Sequence, residues 1–362
     1  MTVDISVDGS HADEDAALLV VENLTVSFPT DDGEVRAVRG VSYTVSAGEA
    51  MGIVGESGSG KSVSSMAVMG LLPKTARITG SVRFRGKEIL GQKEKDYAKL
   101  RGNKIAMIFQ DPLTSLNPVY SIGFQIAEAV LAHNDISKDK ARERAIELLS
   151  IVGIPFPQQR VDSYPHELSG GMRQRVVIAI AMANDPDVII ADEPTTALDV
   201  TVQAQVLEAL EAARVQTGAA LILITHDLGV IAGHAERICV MYAGKLVETG
   251  STEEVFYRPR MPYTLGLLGS LPRMDKSDKA RLTPIKGSPP SLLNLPPGCP
   301  FTPRCPIAED ICDHDEPDLL PVEGAAHAAA CHFRSRTSGA EAADLFGTDA
   351  YDADVAAEVP AK

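Results

Sequence analysis

The sequence contains no tryptophan, and phenylalanine and tyrosine together make up only 5% of its 362 residues. It has no run of about eighteen apolar residues, the length that a membrane-spanning helix needs. Its N-terminus has neither the basic nor the apolar stretch of a secretory signal. Lysine and arginine are outnumbered 34 to 49 by acidic residues, and no basic stripe marks a nucleic-acid surface. The sequence therefore predicts an intracellular protein that crosses no membrane and binds no nucleic acid.

Much of the formal charge of −15 lies at the two ends of the chain. Residues 1–17 contain five acidic residues and no basic one, and residues 337–362 contain six acidic residues against Lys362. Acidic segments with little apolar surface do not fold on their own, so we predict a disordered leader over 1–17 and a disordered tail over 337–362. The remaining chain divides at about residue 258, where proline and glycine become frequent.

Strand and helix patterns alternate along residues 18–258. Strands are indicated at 18–28, 37–45, 50–55, 78–86, 104–110, 187–194, 220–227 and in a pair over 237–248. Helical periodicity dominates from about 111 to 186 and again from about 200 to 215. This order predicts an α/β fold with a mostly parallel sheet, an antiparallel β subdomain, a helical subdomain at about 111–186 and a small C-terminal extension over 259–336.

A glycine-rich loop between a strand and a helix is the strongest chemical signal. Residues 55–62 read Gly-Glu-Ser-Gly-Ser-Gly-Lys-Ser, a full match to the phosphate-binding P-loop. Glycines allow successive backbone N–H groups to face a phosphate, and the helix that follows adds its positive N-terminal end. Lys61 would bind the β- and γ-phosphates and Ser62 would bind Mg²⁺. The predicted phosphate-binding residues are Gly55, Glu56, Ser57, Gly58, Ser59, Gly60, Lys61, Ser62 and the residue at position 63.

Two further motifs carry groups suited to the same chemistry. Asp192 and Glu193 end an apolar strand, and strand carboxyl ends in open α/β sheets are where ligands bind. Asp192 suits Mg²⁺, and Glu193 is placed to act as general base for the attacking water. Ser169-Gly170-Gly171 begins a helix and so forms a second anion-binding helix end.

The motifs together resemble those of ABC transporter ATPase subunits, over roughly residues 18–255. The sequence LSGGMRQR at 168–175, some twenty residues before IIADEP, is similar to the signature motif of that family. The resemblance implies that Gln110 is the Q-loop glutamine, that Ala197-Leu198-Asp199 is the D-loop and that His226 is the switch histidine. It also implies an adenine-stacking role for Phe28, although a half-buried strand would place a phenylalanine there for packing alone.

The family resemblance implies an assembly as well as an activity. Two ATPase subunits, identical or homologous, would meet head to tail, with ATP held between the P-loop of one and the Ser169–Gly171 region of the other. The chain is expected to hydrolyse ATP at the cytoplasmic face of a membrane, as a peripheral partner of two membrane-spanning permease subunits. An extracytoplasmic binding protein would supply the solute.

Residues outside the core motifs narrow the resemblance to the di/oligopeptide and nickel uptake branch. These segments are QDPLTSLNPVYSIGFQI (110–126), YPHELSGGMRQRV (164–176), GKLVETGSTEEVFYRPRMPYTLGLL (244–268) and the cysteine-bearing stretch after residue 296. The resemblance implies uptake of di- or oligopeptides. A nickel or other small-solute importer, a soluble ABC-type ATPase and an ATP-binding regulator without hydrolysis are the alternatives, and intact Glu193 and His226 argue against the last.

Four of the five cysteines lie within 33 residues, at positions 299, 305, 312 and 331. In a reducing compartment such a set is more typical of a metal site than of disulfides. The spacing lacks the paired C-x2-C knuckles of most zinc ribbons, and the peptide-transporter resemblance implies a [4Fe–4S] cluster, with Zn²⁺ or four reduced structural cysteines as alternatives. His314, His327 and His332 are nearby but are not predicted as ligands.

Overall fold

The computed structural model describes residues 17–111, 115–196, 198–271, 284–322 and 326–347. Its strands, in chain order, are β1 (Ala17–Thr30), β2 (Gly33–Ser46), β3 (Ala50–Val54), β4 (Arg77–Phe84), β5 (Lys87–Glu88), β6 (Ile105–Ile108), β7 (Val188–Asp192), β8 (Ala220–Thr225), β9 (Arg237–Tyr242), β10 (Lys245–Ser251), β11 (Leu320–Pro321) and β12 (Ala328–Ala329).

The helices of the described residues complete the architecture. They are α1 (Lys61–Val68), α2 (Glu94–Leu100), α3 (Ile122–Leu131), α4 (Lys138–Ile151), α5 (Pro157–Arg160), α6 (Gly170–Ala181), α7 (Val200–Thr217), α8 (Leu228–Ala232), α9 (Thr252–Tyr257), α10 (Pro262–Gly269), α11 (Asp310–His314) and α12 (Ala342–Phe346), with 3₁₀ turns at Pro165–Glu167 and Thr302–Arg304. None of them is long and apolar enough to cross a membrane.

The eight-stranded sheet has the order β11-β12-β10-β9-β3-β8-β7-β6. Strands β9, β3, β8, β7 and β6 run parallel, as the continuous apolar runs of the sequence predict for strands buried on both faces. All residues of β3, β7 and β8 are buried. The carboxyl ends of these three strands therefore lie at one edge of the sheet, where the P-loop and Glu193 follow them.

A separate antiparallel sheet, with the order β2-β1-β4-β5, forms the predicted β subdomain. The Asp31-Asp32 pair closes the β1–β2 hairpin, since Thr30 pairs with Gly33 across it. One apolar cluster joins this sheet to one face of the central sheet through residues such as Leu24, Val41 and Met51.

The helical subdomain packs on the other face of the central sheet. Helices α3, α4 and α6 share a second apolar cluster with β7 and α7, to which Ile126, Leu148 and Ile178 contribute fully buried side chains. Ser121, Ser137 and Ser169 cap the N-termini of these helices through their hydroxyl groups. The predicted α/β fold with its antiparallel and helical subdomains is confirmed.

The C-terminal extension continues the central sheet. Strand β12 pairs with β10, at Glu248 with Ala329 and Thr249 with Ala328, and β11 pairs with β12 in turn. Helix α12 lies within the stretch 337–362 that is predicted as tail, and Phe346 packs against the core. Residues 1–16 and 348–362 lie outside the described residues, so the prediction of disorder there stays a prediction.

Candidate nucleotide site

The P-loop connects β3 to α1 in a conformation that requires glycine. Gly60 precedes α1 with φ of 101°, and a Cβ atom on it would lie 2.3 Å from the carbonyl oxygen of Ala37. At Gly55 an added Cβ would lie 2.2 Å from the carbonyl oxygen of Met241. A side chain is therefore excluded at both positions, and the N–H groups of the first turn of α1, which have no intrahelical partner, begin directly after the loop.

Lys61 is 4% exposed, and its Nζ donates to the carbonyl oxygens of Gly55 (2.7 Å) and Glu56 (3.0 Å). Burial lowers the pKa of Lys61, while the carboxylates of Glu193, Asp192 and Glu56 act in the opposite direction. The ammonium is therefore held inside the loop, with acceptors that an anionic phosphate can replace.

Ser62 and Asp192 lie side by side on different elements. The Ser62 hydroxyl donates to Oδ1 of Asp192 at 2.9 Å. Burial raises the pKa of Asp192, the Ser62 hydrogen bond lowers it, and the neighbouring Glu193 raises it further. A hydroxyl and a carboxylate at this distance are the oxygen donors that Mg²⁺ takes in phosphate sites, so the residues fit the ion.

Glu193 lies at the centre of a polar group at the end of β7. Its carboxylate accepts from Gln110 Nε2 (3.0 Å) and from the Thr196 hydroxyl (2.8 Å), and its Oε1 lies 3.4 Å from Nδ1 of His226. Glu193 has φ of 48°, and its N–H donates to the carbonyl oxygen of Ile224 on β8. The backbone thus turns the side chain away from the strand and toward the P-loop.

These groups share one cleft of about 820 Å³. Its lining consists of Glu56, Ser57, Gly58, Ser59, Gly60, Lys61, Ser62, Val63, Gln110, Glu193, Thr196, His226 and Pro289. Position 63 is a valine, so it can offer a phosphate only its backbone N–H. The hydroxyl of Ser59 is buried without a hydrogen-bond partner among the described residues, as expected of a loop whose ligand is a separate molecule.

Several predicted residues are not part of the cleft lining, including Gly55 and Asp192, which are each adjacent in sequence to a lining residue. Phe28 is partly buried against the core cluster and is not part of the cleft lining. Ser169 caps α6 and Gly171 packs against Val202, so neither lines this cleft. Of the predicted D-loop, Asp199 caps α7 by accepting from the N–H of Val202, while Ala197 lies outside the described residues.

Thr196 and Pro289 belong to the cleft but do not follow from the sequence motifs. The position of Thr196 could have been inferred from the sequence, because a hydroxyl three residues after Glu193 can hydrogen-bond the Glu193 carboxylate within one turn. The position of Pro289 could not, because it comes from the C-terminal extension almost 230 residues beyond the P-loop. Only tertiary packing brings it to the cleft.

The four clustered cysteines line a second, small cavity together with Phe301 and Phe333. All five cysteines are free thiols. Burial raises the pKa of Cys305 to about 12 and that of Cys331 to about 11, and it also raises the pKa of Cys299. Within the described part of the chain, no three side chains among His, Cys, Asp and Glu are grouped so that they could hold a metal ion. The predicted metal site is therefore unsupported by the geometry of these residues.

Comparison with known proteins matches two family models to this chain. Residues 38–196 match the ABC transporter family, and residues 247–312 match the oligopeptide/dipeptide transporter C-terminal region. The two segments include the P-loop, Glu193 and three of the four clustered cysteines.

Named relatives extend the match over most of the chain. The chain is 56% identical over 330 residues to the oligopeptide transport ATP-binding protein OppD of Mycobacterium tuberculosis, covering 91% of this chain and 54% of that protein. It thus spans about half the length of this mycobacterial relative. It is 50% identical over 337 residues to the dipeptide transport ATP-binding protein DppD of Bacillus subtilis, covering 92% of this chain and 99% of that one.

A solved structure shares the fold. The dimeric post-hydrolysis structure of the ATP-binding cassette MJ0796, bound to ADP and Pi, matches with a TM-score of 0.58 and 26% identity, covering 65% of this chain and 98% of that one. About a third of this chain therefore lies outside the match.

Proposed function

This chain belongs to the ABC transporter ATPases of the oligopeptide/dipeptide branch, and we propose that it is the ATP-binding and ATP-hydrolysing subunit of an importer that takes up di- and oligopeptides across the cytoplasmic membrane. The observation that carries the proposal is the convergence of Lys61, Ser62 and Glu193 in one cleft. A phosphate-binding loop alone would support only binding. A carboxylate held beside it supports hydrolysis.

In this site the protein's own groups would position and polarise the reactants. Lys61 and the N-terminus of α1 would bind the phosphates, and Ser62 with Asp192 would hold Mg²⁺, which neutralises charge on the phosphates when bound. Glu193 would accept the proton of the attacking water. Gln110 and His226, which contact its carboxylate, would orient that water and the γ-phosphate.

The second predicted phosphate-binding element does not belong to the cleft of its own chain. Ser169 and Gly171 form a helix N-terminus outside the cleft of their own chain, so they are available to the cleft of another. The fold relative MJ0796 was solved as a dimer bound to ADP and Pi. We therefore propose a head-to-tail pair with a second ATPase subunit, identical or homologous.

A groove between the central sheet and the helical subdomain would receive the membrane subunits. It encloses about 610 Å³ and is lined mainly by apolar residues, among them Met107, Phe109 and Ile180. Val119 and Phe124 follow the groove-lining Ser115 in the sequence, and their side chains, 69% and 48% exposed, present further apolar surface. Exposed apolar surface of this kind marks a protein interface, and we assign it to cytoplasmic loops of two permease subunits. The chain would then be peripheral, and an extracytoplasmic binding protein would deliver the solute.

We also propose that the four clustered cysteines hold a [4Fe–4S] cluster. In support, all four line one cavity, and the Cys331 sulfur accepts from the N–H of Phe333. No three of the described His, Cys, Asp or Glu side chains are grouped to hold a metal ion as they stand, so binding of a cluster or of Zn²⁺ alike would require the cysteine side chains to move together. Because the metal-free thiols of Cys305 and Cys331 are neutral at pH 7, binding would release protons.

Reconstitution tests the transport proposal. The purified chain would be assembled with its permeases and partner ATPase in vesicles and supplied with the binding protein and either a peptide mixture or Ni²⁺. We expect peptides to stimulate ATP hydrolysis and to accumulate inside, and Ni²⁺ to do neither. Stimulation by Ni²⁺ alone would favour the nickel importer, and hydrolysis that no assembly stimulates would favour a soluble ATPase.

A further inference from the structure

An ion pair connects the C-terminal extension to the P-loop. Arg304 lies in the 3₁₀ turn next to Cys305, and its side chain is 4% exposed. Its Nη1 and Nη2 donate to Oε2 and Oε1 of Glu56 at 2.6 and 2.8 Å. The pair is thus bidentate, a geometry that a planar guanidinium makes and a lysine cannot reproduce.

Arg304 is fixed from several sides. Its Nε donates to the carbonyl oxygen of Lys286 at 3.1 Å, Nη1 is 3.3 Å from the Tyr242 hydroxyl, and the guanidinium lies 5.9 Å from the ring centroids of Tyr242 and Phe301. Burial alone would lower the pKa of Arg304, but the hydrogen bonds to Glu56 and Tyr242 outweigh it and raise the pKa. Arg304 is therefore a permanent cation that several contacts hold in place.

Glu56 needs such a cation because of where it lies. It is the second residue of the P-loop and lines the cleft beside Lys61. An unpaired carboxylate there would repel the nucleotide phosphates, in surroundings where charges are screened less than in bulk water. The Glu56 backbone is held as well, since its N–H donates to the hydroxyl of Tyr263 on α10 at 2.8 Å. Both contacts come from residues beyond the core cassette motifs.

We propose that Arg304 is a positioning residue of the nucleotide site, a fixed counter-ion that neutralises and orients Glu56 so that the P-loop accepts phosphates. The C-terminal extension is then part of the nucleotide site, and nucleotide affinity depends on its being folded and docked. The inference rests on the proposed function only in taking ATP as the ligand.

The test uses the assembled complex and measures ATP affinity with a fluorescent ATP analogue, together with KM and kcat. Arg304→Ala leaves Glu56 charged and unpaired, so we expect ATP affinity to fall about tenfold, or about 1.4 kcal/mol, with kcat at saturating ATP within about twofold of wild type. The double variant Glu56→Gln/Arg304→Ala also removes the unpaired carboxylate. We expect it to recover most of the ATP affinity that Arg304→Ala loses. Arg304→Lys keeps the positive charge but cannot make the bidentate contact with Glu56. We expect its ATP affinity to lie between those of the wild type and Arg304→Ala.

Glu316→Gln is the matched control. Glu316 also joins the extension to the core, through Arg39 (2.6 Å) and Lys245 (2.8 Å), but does not line the cleft. It should leave ATP affinity unchanged. Wild-type ATP affinity in Arg304→Ala, or no recovery of affinity in the double variant, would overturn the counter-ion role. If Arg304→Ala does not fold, Arg304→Lys decides instead, and wild-type ATP affinity in that variant would overturn the role. A wild-type complex that neither binds nor hydrolyses ATP would instead refute the proposed function.

Discussion

Oε1 of Glu193 lies 3.4 Å from Nδ1 of His226, although the two residues follow different strands of the sheet. The contact exists because β7 and β8 are parallel neighbours whose carboxyl ends coincide, with Asp192 opposite Ile224. Gln110 reaches the same carboxylate from the end of β6, the next strand along. Three consecutive strands of the sheet thus each contribute one polar side chain to a single point beside the P-loop.

Lys61→Ala is expected to weaken ATP binding itself. The variant loses a buried ammonium that would hydrogen-bond the phosphates, an interaction with a charged group of about 1.5–3 kcal/mol, which is roughly 10- to 150-fold in affinity. Equilibrium binding of a fluorescent ATP analogue measures it, with the exposed Lys138→Ala as control. Normal ATP affinity in Lys61→Ala would show that the P-loop assignment of Lys61 is wrong.

Gly60→Ala is expected to destabilise the P-loop. The new Cβ would lie 2.3 Å from the Ala37 carbonyl oxygen at a positive φ, so the loop must shift, at a cost of about 1–3 kcal/mol. We expect a lower melting temperature and weaker ATP binding. Gly233→Ala, with a negative φ and open space around it, should change neither. Equal behaviour of the two variants would argue against this loop geometry.

Photocrosslinking locates the membrane-facing surface. We expect the segment 110–126 to contact the permeases, so a photoreactive residue at Val119 or Tyr120, whose side chains are exposed, is expected to form adducts with permease loops. Val215, exposed on α7 away from the groove, serves as the negative position. Residues 112–114 of this interface lie outside the described residues. Adducts only from the extension, for example from Ile311, would contradict the assignment.

Metal content tests the cysteine proposal. Protein purified without oxygen is expected to be brown and to contain about four irons per chain, the content of one [4Fe–4S] cluster. Cys305→Ser should lose the iron, whereas Cys239→Ser should keep it, because Cys239 lies on β9 away from the cavity. About one zinc per chain would support the four cysteines as metal ligands but reject the [4Fe–4S] cluster. Metal-free protein with four thiols open to alkylation would reject both.

The sequence predicts the cassette well because its signals are local. The P-loop needs glycines at fixed spacing, and buried parallel strands such as β7 read as short apolar runs, so both elements appear where the motifs place them. The apolar pattern of residues 62–72 predicts a helix of that length after the P-loop, but the helix ends at Val68. Met69 caps it, and Gly70 follows with φ of 61° in close contact with the Tyr97 ring.

The contribution of the extension could not be predicted, because its contacts join residues far apart in sequence. Arg304 and Glu56 are 248 positions apart, and neither side chain signals the other. Strands β11 and β12 have two residues each, too short for any alternation to show, and form only because β10 offers an edge. Ser169 differs from both groups, because its predicted role is to bind the nucleotide of a second chain.

Turnover of Glu193→Gln in the assembled complex tests the central claim most directly. The amide keeps the shape of the side chain but cannot accept the proton of the attacking water, so we expect hydrolysis to fall by about 10²–10⁴-fold with ATP affinity unchanged. The variant should also accumulate a closed, ATP-bound pair with its partner subunit. Near-wild-type turnover in Glu193→Gln would contradict the account of this cleft as an ATP-hydrolysing site.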